Sequence, residues 1–269
     1  MRWPSRAGVG RRRTGPRPVP EPGLCVLAFH RIRDRNEKDH DVTWTSFHAV
    51  LDWVEGGGAV ETRLAAEEAL RRPAVVLTFD DGTADHLRAA EELAARGMPG
   101  VFFVPAGAIG RPGQLGMPHL RRLLALGHEV GSHGFSHLPL DRGMAPQIIE
   151  HELRDSKRLL EDGLGAGIDY FAPPGGIVRG CRSDALAAHG YRASRSMAWG
   201  IYRALTRRWR IPAIPVTEFT VRRGWIEHAV RACELPLAMR SGWALKRFMP
   251  LALRSSIRRR LHDHFRARR

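Results

Sequence analysis

The chain has 269 residues, of which 43 % are hydrophobic, and its formal net charge is +15. This length and apolar content suit a globular protein with a sizeable core. No apolar run approaches the 18 or more residues of a transmembrane helix, and we expect no cleaved signal peptide. Cys25, Cys181 and Cys233 are widely spaced, so they predict neither a disulfide framework nor a thiolate metal site. A reducing, cytoplasmic location is therefore expected.

The positive charge lies at the two ends of the chain. Residues 1–22 hold six arginines against one glutamate, and residues 221–269 hold 13 basic against three acidic side chains. Residues 23–220 are balanced, with 24 basic and 24 acidic side chains. A DNA-binding domain usually carries its basic surface on the folded body, so no nucleic-acid partner is expected. The first 22 residues, rich in Pro, Gly and Arg, are predicted to be a disordered basic segment.

From residue 23 onward, strand-like apolar runs alternate with helical patterns. Strands are predicted at "LCVLAF", "AVVLTF", "GVFFV", "HEVGSH" and "IDYF". Amphipathic helices are predicted between them, at "TSFHAVLDWVE", "DHLRAAEELAARG", "MPHLRRLLALG" and "MAPQIIEHELRDSKRLLEDGLG". This alternation predicts one α/β domain over residues 23–220 with a parallel sheet, open or closed into a barrel. Chemistry is then expected at the carboxyl ends of the strands.

Two histidines and two aspartates follow predicted strands. His133 and His137 are four residues apart, so two imidazoles could face one ion across a single turn. An accidental pair is the alternative in a chain with 13 histidines. A carboxylate from another strand would complete a two-histidine, one-carboxylate site, which suits Zn²⁺ and also Fe²⁺ or Co²⁺.

Asp80 and Asp81 stand directly after "VVLTF". Successive side chains of a strand point to opposite sides, so one carboxylate could bind a metal while its neighbour stays unligated at the edge of the site. The alternative is an Asx-type turn in which Gly82 supplies a permissive backbone. The histidine pair downstream favours the metal-site interpretation.

The motif "LTFDDG", followed by "GSHGFSHLPL", resembles the first two motifs of the polysaccharide deacetylases, the NodB-homology family of carbohydrate esterases. The resemblance covers about residues 24–220. It implies a distorted (β/α) barrel and the metal-dependent removal of an acetyl group, usually from an N-acetylated sugar. It also implies that Asp80 is the general base and that Asp81, His133 and His137 hold a divalent metal, most often Zn²⁺, with Co²⁺, Ni²⁺ or Fe²⁺ as alternatives.

The third family motif departs from its usual pattern. Ala172 in "FAPPGG" stands where the family usually has an arginine that orients the base. Arg195 in "ASRSMAW" is our candidate to replace that arginine. The backbone N–H of Gly175 remains available to stabilise a developing oxyanion, because this role needs no side chain.

The catalytic acid of the family is usually a histidine on a late strand, but "IPAIPV" contains none. The segment "CVLAFHRI" resembles the early segment of the poly-N-acetylglucosamine deacetylase branch, in which the motif order is permuted. This resemblance implies that His30 is the general acid. The alternative is an ordinary histidine at the end of a strand.

Residues 221–269 are predicted to be a basic helical tail. Leu253, Ile257, Leu261 and Phe265 recur every four residues among arginines, which predicts an amphipathic helix over residues 250–269. Such a helix could contact an anionic membrane at its inner face, or pack on its own domain. The resemblance leaves two further alternatives, a catalytically silent carbohydrate-binding relative and a deacylase of a non-sugar amide or ester.

Overall fold

The computed structural model describes residues 22–35, 37, 40–56, 59–61, 64, 73–141, 143–176, 183–203, 205–232 and 234. The predicted disordered segment, apart from residue 22, and the predicted amphipathic helix at residues 250–269 lie outside the described residues.

Within the described part of the chain, eight strands form one parallel sheet. They are β1 (Gly23–Phe29), β4 (Ala59–Val60), β5 (Pro73–Phe79), β6 (Gly100–Val104), β7 (Glu129–Ser132), β8 (Tyr170–Phe171), β9 (Ala193–Ser194) and β10 (Ile214–Pro215). The spatial order is β10-β1-β5-β6-β7-β8-β9, and β4 pairs with the start of β5. Two short strands, β2 (Arg31–Arg33) and β3 (Asp41–Thr43), pair separately in parallel.

Helices cover the outer face of this sheet. They are α1 (Trp44–Glu55), α2 (Asp85–Ala95), α3 (Met117–Ala125), α4 (Pro146–Glu150), α5 (Ser156–Leu164), α6 (Ser183–Ala188), α7 (Glu218–Arg222) and α8 (Trp225–Ala232). A π-helical stretch, His151–Asp155, joins α4 to α5. None of the helices described is both long and apolar enough to cross a membrane.

The sheet curls into a ring that closes between its first and last strands. On one side, Leu27 of β1 pairs with Ile214 of β10. On the other side, the Ile211 N–H donates to the Ser194 carbonyl at 2.9 Å, and the Ser196 N–H donates to the Ile211 carbonyl at 2.8 Å. The predicted distorted (β/α) barrel is confirmed.

Alternation along the strands separates two apolar layers. One set of strand side chains fills the inside of the ring and includes Val26, Val76, Val101 and Phe103. The opposite set packs against the helices. In that outer layer Phe29, Phe79 and Phe102 form a continuous stack, with ring centroids 5.1 and 4.5 Å apart. This stack fixes the ends of β1 and β5 relative to each other.

Helix α8 packs on the core through Ile226, Ala229 and Val230, which are all buried. Because α8 lies within residues 221–269, at least this part of the predicted basic tail belongs to the packed body. The carboxylate of Glu218 on α7 accepts a hydrogen bond from the Thr43 N–H at 2.7 Å, which ties α7 to the start of α1.

Strand register brings the carboxyl ends to one level. Phe29 pairs with Phe79, so the residues that follow them, His30 and Asp80, are neighbours. Phe171 pairs with Ser132 on one side and with Ser194 on the other. His133, Ala172 and Arg195 therefore stand side by side at the same rim.

Candidate active site

Asp81, His133 and His137 form a cluster at the carboxyl ends of the strands. One oxygen of Asp81, Oδ1, lies 3.4 Å from His133 Nε2 and 3.0 Å from His137 Nε2. The three ligand atoms all lie within 4.8 Å of one another. Two imidazole nitrogens and one carboxylate oxygen at this spacing could hold a divalent metal.

Hydrogen bonding sets the orientation of His133. Its Nδ1 lies 2.5 Å from the carbonyl oxygen of Ala172. A carbonyl oxygen can only accept, so Nδ1 carries the proton and Nε2 keeps a lone pair for an ion. His133 is buried, whereas His137 is about half exposed, at 47 % of its side chain. The cluster is therefore closed on the protein side and open towards solvent, as a catalytic metal site requires.

Two of the three cluster residues have left-handed backbone conformations. The φ angle is 76° at Asp81 and 64° at His137, which is uncommon for residues other than glycine. The Gln114 side-chain amide, with its nitrogen towards this turn, donates to the carbonyl oxygens of Asp81 at 2.7 Å and Gly82 at 2.8 Å. Such strain concentrates at functional sites, where the surrounding structure enforces it.

A buried carboxylate shapes the loop that carries both histidines. Glu152, on the π-helical stretch, accepts hydrogen bonds from the Phe135 N–H at 2.8 Å and from the Ser136 N–H at 3.1 Å, and also from the Ser136 hydroxyl. Glu152 is 1 % exposed. Sequence reasoning missed this residue, because it lies in an ordinary amphipathic helix pattern that carries no distinguishing signal.

Asp80 does not join the cluster and is instead paired with Arg195. The Arg195 guanidinium donates to both Asp80 carboxylate oxygens, and both side chains are almost fully buried. Burial alone would raise the pKa of Asp80, but the charge of Arg195, assisted by His133 and His30, holds it below its ordinary value. Asp80 is therefore ionised at neutral pH, with both oxygens aligned by a planar donor.

The guanidinium of Arg195 also packs inside the ring. Its Nη1 lies 2.7 Å from the sulfur of Met197, and its central carbon lies 5.3 Å from the centroid of the Phe103 ring. The structure thus places Arg195 against Asp80, as the predicted substitute for an arginine at position 172 requires. Its effect on catalysis stays a prediction.

His30 lies on the solvent side of Asp80. Its Nε2 is 3.8 Å from Asp80 Oδ2, and a fifth of its side chain is exposed. Burial lowers the pKa of His30 below 6.5, and the charges of Asp80 and Asp81 oppose this shift only in part. His30 therefore borders both the base and the opening of the site. Its predicted role as an acid stays a prediction.

Gly175 lies in the turn Pro174–Gly176, directly after β8. Its φ angle is 66°, a left-handed conformation that favours glycine. The turn begins two residues after Ala172, whose carbonyl orients His133. Gly175 is exposed and lies three residues after Ala172, the residue that contacts His133 of the cluster. Its contact with an oxyanion stays a prediction.

A distorted parallel barrel that gathers a possible metal-binding cluster and an ion-paired aspartate at one rim is an arrangement suited to hydrolysis. Residues 67–194 match the family model described as polysaccharide deacetylase. Over these residues the chain resembles the polysaccharide deacetylase, or NodB-homology, family of hydrolases that act on amide bonds. The predicted resemblance is confirmed.

Solved structures of deacetylases share the fold. IcaB from Ammonifex degensii superposes with a TM-score of 0.68 at 23 % identity, covering 77 % of this chain and 97 % of that one. The Streptococcus pyogenes deacetylase PplD, solved in complex with acetate, gives 0.66 at 21 % identity, covering 73 % and 93 %. A de-N-acetylase from Aggregatibacter actinomycetemcomitans gives 0.64 at 16 % identity, covering 75 % and 98 %. No curated protein sequence matches the chain.

Proposed function

We propose that this protein is a divalent-metal-dependent deacetylase that removes an acetyl group from an N-acetylated sugar of a polysaccharide, glycolipid or lipid-linked glycan. One observation carries the proposal. An open cluster of Asp81, His133 and His137 lies beside an aspartate, Asp80, that Arg195 keeps buried and ionised. The donor set fits Zn²⁺ first and Co²⁺, Ni²⁺ or Fe²⁺ as alternatives.

The residues divide the reaction between them. Asp81, His133 and His137 would hold the divalent ion, which would supply Lewis-acid chemistry and lower the pKa of a water molecule to about 7. Asp80 takes a proton from the attacking water, since its oxygens retain lone pairs beyond those that accept from Arg195. The water oxygen bonds to the acetyl carbonyl carbon, and the Gly175 N–H stabilises the negative charge on the carbonyl oxygen.

His30 completes the reaction by giving a proton to the departing amine nitrogen. An amide nitrogen leaves poorly as an anion, so the carbon–nitrogen bond breaks as this proton arrives. His30 Nε2 lies 3.8 Å from Asp80 Oδ2, beyond hydrogen-bond reach, so His30 takes its proton from solvent, to which a fifth of its side chain is exposed, and Asp80 returns the proton of the attacking water to solvent. The products are acetate and a free amino sugar, and no further reactant is needed.

Metal content tests the proposal without knowledge of the substrate. We expect about one metal ion per purified chain, and its loss in the double variant Asp81→Ala, His133→Ala. The matched control is His189→Ala, Glu150→Ala, which removes a histidine–carboxylate pair 3.0 Å apart outside the site and should keep the metal.

Acetate release from N-acetylglucosamine oligomers is then measured with the metal-loaded chain. Release that requires the cluster supports the deacetylase. Absence of bound metal after addition of Zn²⁺ or Co²⁺ would favour a catalytically silent carbohydrate-binding relative. If the protein binds metal but releases acetate only from non-sugar amides or esters, its substrates belong to that class and not to the N-acetylated sugars.

A further inference from the structure

A cavity of about 330 Å³ opens beside the cluster. Asp81 and His137 form part of its wall, so a group bound in the cavity lies next to the proposed reacting centre. Two arginines, Arg31 and Arg111, line the same cavity. Arg31 follows His30 directly, at the start of β2, and Arg111 follows the 3₁₀ turn Ala106–Ala108 after β6.

These two guanidinium groups have no carboxylate partner within 4 Å among the described residues. Several other arginines of the body pair with acids, as in the pairs Arg96–Asp52 at 2.7 Å and Arg192–Asp169 at 3.2 Å. Arg31 is partly buried and Arg111 is exposed, and both line the cavity. Unpaired arginines in a concave site attract and orient anions.

The charges of the other residues that line the cavity also favour an anionic ligand. Asp81 is the one carboxylate among its described lining residues, and its Oδ1 is already directed at the two imidazoles. The remaining polar lining, Gln114 and Ser136, is uncharged. A neutral sugar would leave both arginines unmatched, whereas a phosphate or carboxylate group would be held in a planar, two-pronged contact.

We propose that the substrate is an anionic N-acetylated sugar, and that Arg31 and Arg111 bind its phosphate or carboxylate group in the cavity beside the metal cluster. This inference rests on the proposed deacetylase function for the position of the acetamido group, but the anion site itself is defined by the two arginines. The shared chemistry is a compact oxyanion attached to the sugar or to the residue linked to it.

Calorimetric binding of three small sugars to the full chain tests this inference. The probes are N-acetylglucosamine, N-acetylglucosamine 6-phosphate and N-acetylglucosaminuronic acid, which differ in charge and in the source of that charge. Hydrogen bonds to charged groups are the strong ones, so we expect at least one anionic sugar to bind about tenfold tighter than the neutral sugar. The anionic sugar that binds more tightly than N-acetylglucosamine shows whether the site recognises a phosphate or a carboxylate group.

The double variant Arg31→Gln, Arg111→Gln should reduce this preference to less than about threefold. The matched control is Arg158→Gln on α5, which removes one charge from an exposed arginine that pairs with Asp162 at 3.5 Å, and the preference should persist. Equal binding of all three sugars by the unchanged chain, or a preference that survives in the double variant, would overturn the anion site.

Acetate release from the same three sugars, measured with added Zn²⁺, separates this inference from the proposed function. Equal release from the neutral and anionic sugars would overturn the anion preference and leave the deacetylase standing. Tighter anionic binding without release from any of the three sugars would support the anion site and count against the deacetylase.

Discussion

Arg195 donates hydrogen bonds to both carboxylate oxygens of Asp80, although 115 positions separate the two residues in the chain. Both are buried, so neither charge can be solvated if the other is removed. We predicted Arg195 as the substitute for the arginine that the family pattern usually has at position 172, and this substitution stays a prediction. The orientation of the proposed base therefore depends on a side chain from a different strand.

Replacing Arg195 should reduce turnover while metal stays bound. In Arg195→Ala the buried Asp80 loses its aligned donor, and misplacement of a catalytic group typically costs about 100-fold in rate. Arg195→Lys keeps the charge without the planar fork and should give an intermediate loss. The measurements are kcat for acetate release and metal content on the same samples. Unchanged turnover in both variants would remove Arg195 from the mechanism.

His30→Ala should reduce turnover about 10²- to 10⁴-fold without loss of metal, because a positioned acid contributes that much to such reactions. His40→Ala is the matched control, since this exposed ring lies 5.2 Å from His30, between ring centroids. Turnover and metal content distinguish three outcomes. Loss of metal with activity would make His30 a ligand, and full activity would make it a structural residue.

Glu152→Gln should weaken metal binding roughly 10- to 100-fold, the range typical of residues that orient metal ligands. An amide can accept through only one atom, so its NH₂ group would face one of the loop N–H donors that Glu152 satisfies. Zn²⁺ affinity by competition with a chelator is the measurement. Glu150→Gln, a change at a partly exposed position just before the π-helical stretch, should leave that affinity intact. Equal affinities in the two variants would contradict the role of Glu152.

Glu218→Gln should destabilise the fold at pH 7 by about 1–3 kcal/mol, because Glu218 accepts a short hydrogen bond from the Thr43 N–H. Burial alone would raise the pKa of Glu218, but hydrogen bonds from Thr43 and Ser46 hold it below its ordinary 4.5. A carboxyl group whose pKa is lowered by folding stabilises the fold above its unfolded pKa and loses this contribution as pH falls through the folded pKa.

The difference in unfolding free energy between Glu218→Gln and the unchanged chain should therefore shrink below about pH 4.5. Urea unfolding at pH 7 and pH 3.5 measures it. Glu227→Gln on α8 is the control, because its carboxylate makes a partly exposed ion pair with Arg231. A difference that stays constant with pH would show that the Glu218 charge does not contribute.

The barrel and the cluster could be predicted from the sequence because both rest on local patterns. Apolar runs flanked by helices identify parallel strands, and the rim position of Asp81, His133 and His137 follows from where those strands end. The pairing of Arg195 with Asp80 could only be suggested from the sequence, since it depends on strand register. Ser194 must lie level with Phe171 for Arg195 to reach the rim.

Other parts of the site had no sequence signal at all. Glu152 lies within a helical pattern, and its contact with the 133–137 loop depends on a π-helical stretch that no periodicity distinguishes from an α-helix. Arg31 and Arg111 are two of many arginines, and their common cavity depends on the loops after β1 and β6. Chain regions that meet only through tertiary packing are not visible to local patterns.

Strand β10 pairs with β1 on one side, and Ile211 forms hydrogen bonds with Ser194 and Ser196 at the end of β9 on the other, so the strands form a closed circle. In chain order, β1 is the first strand of this circle and β10 is the last. A circularly permuted chain could therefore form the same rim from the same strands. The family model matches residues 67–194 and so leaves both His30 and β10 outside its span. Relatives of this protein are therefore better recognised by comparing strands around the circle than by reading motifs from one terminus to the other.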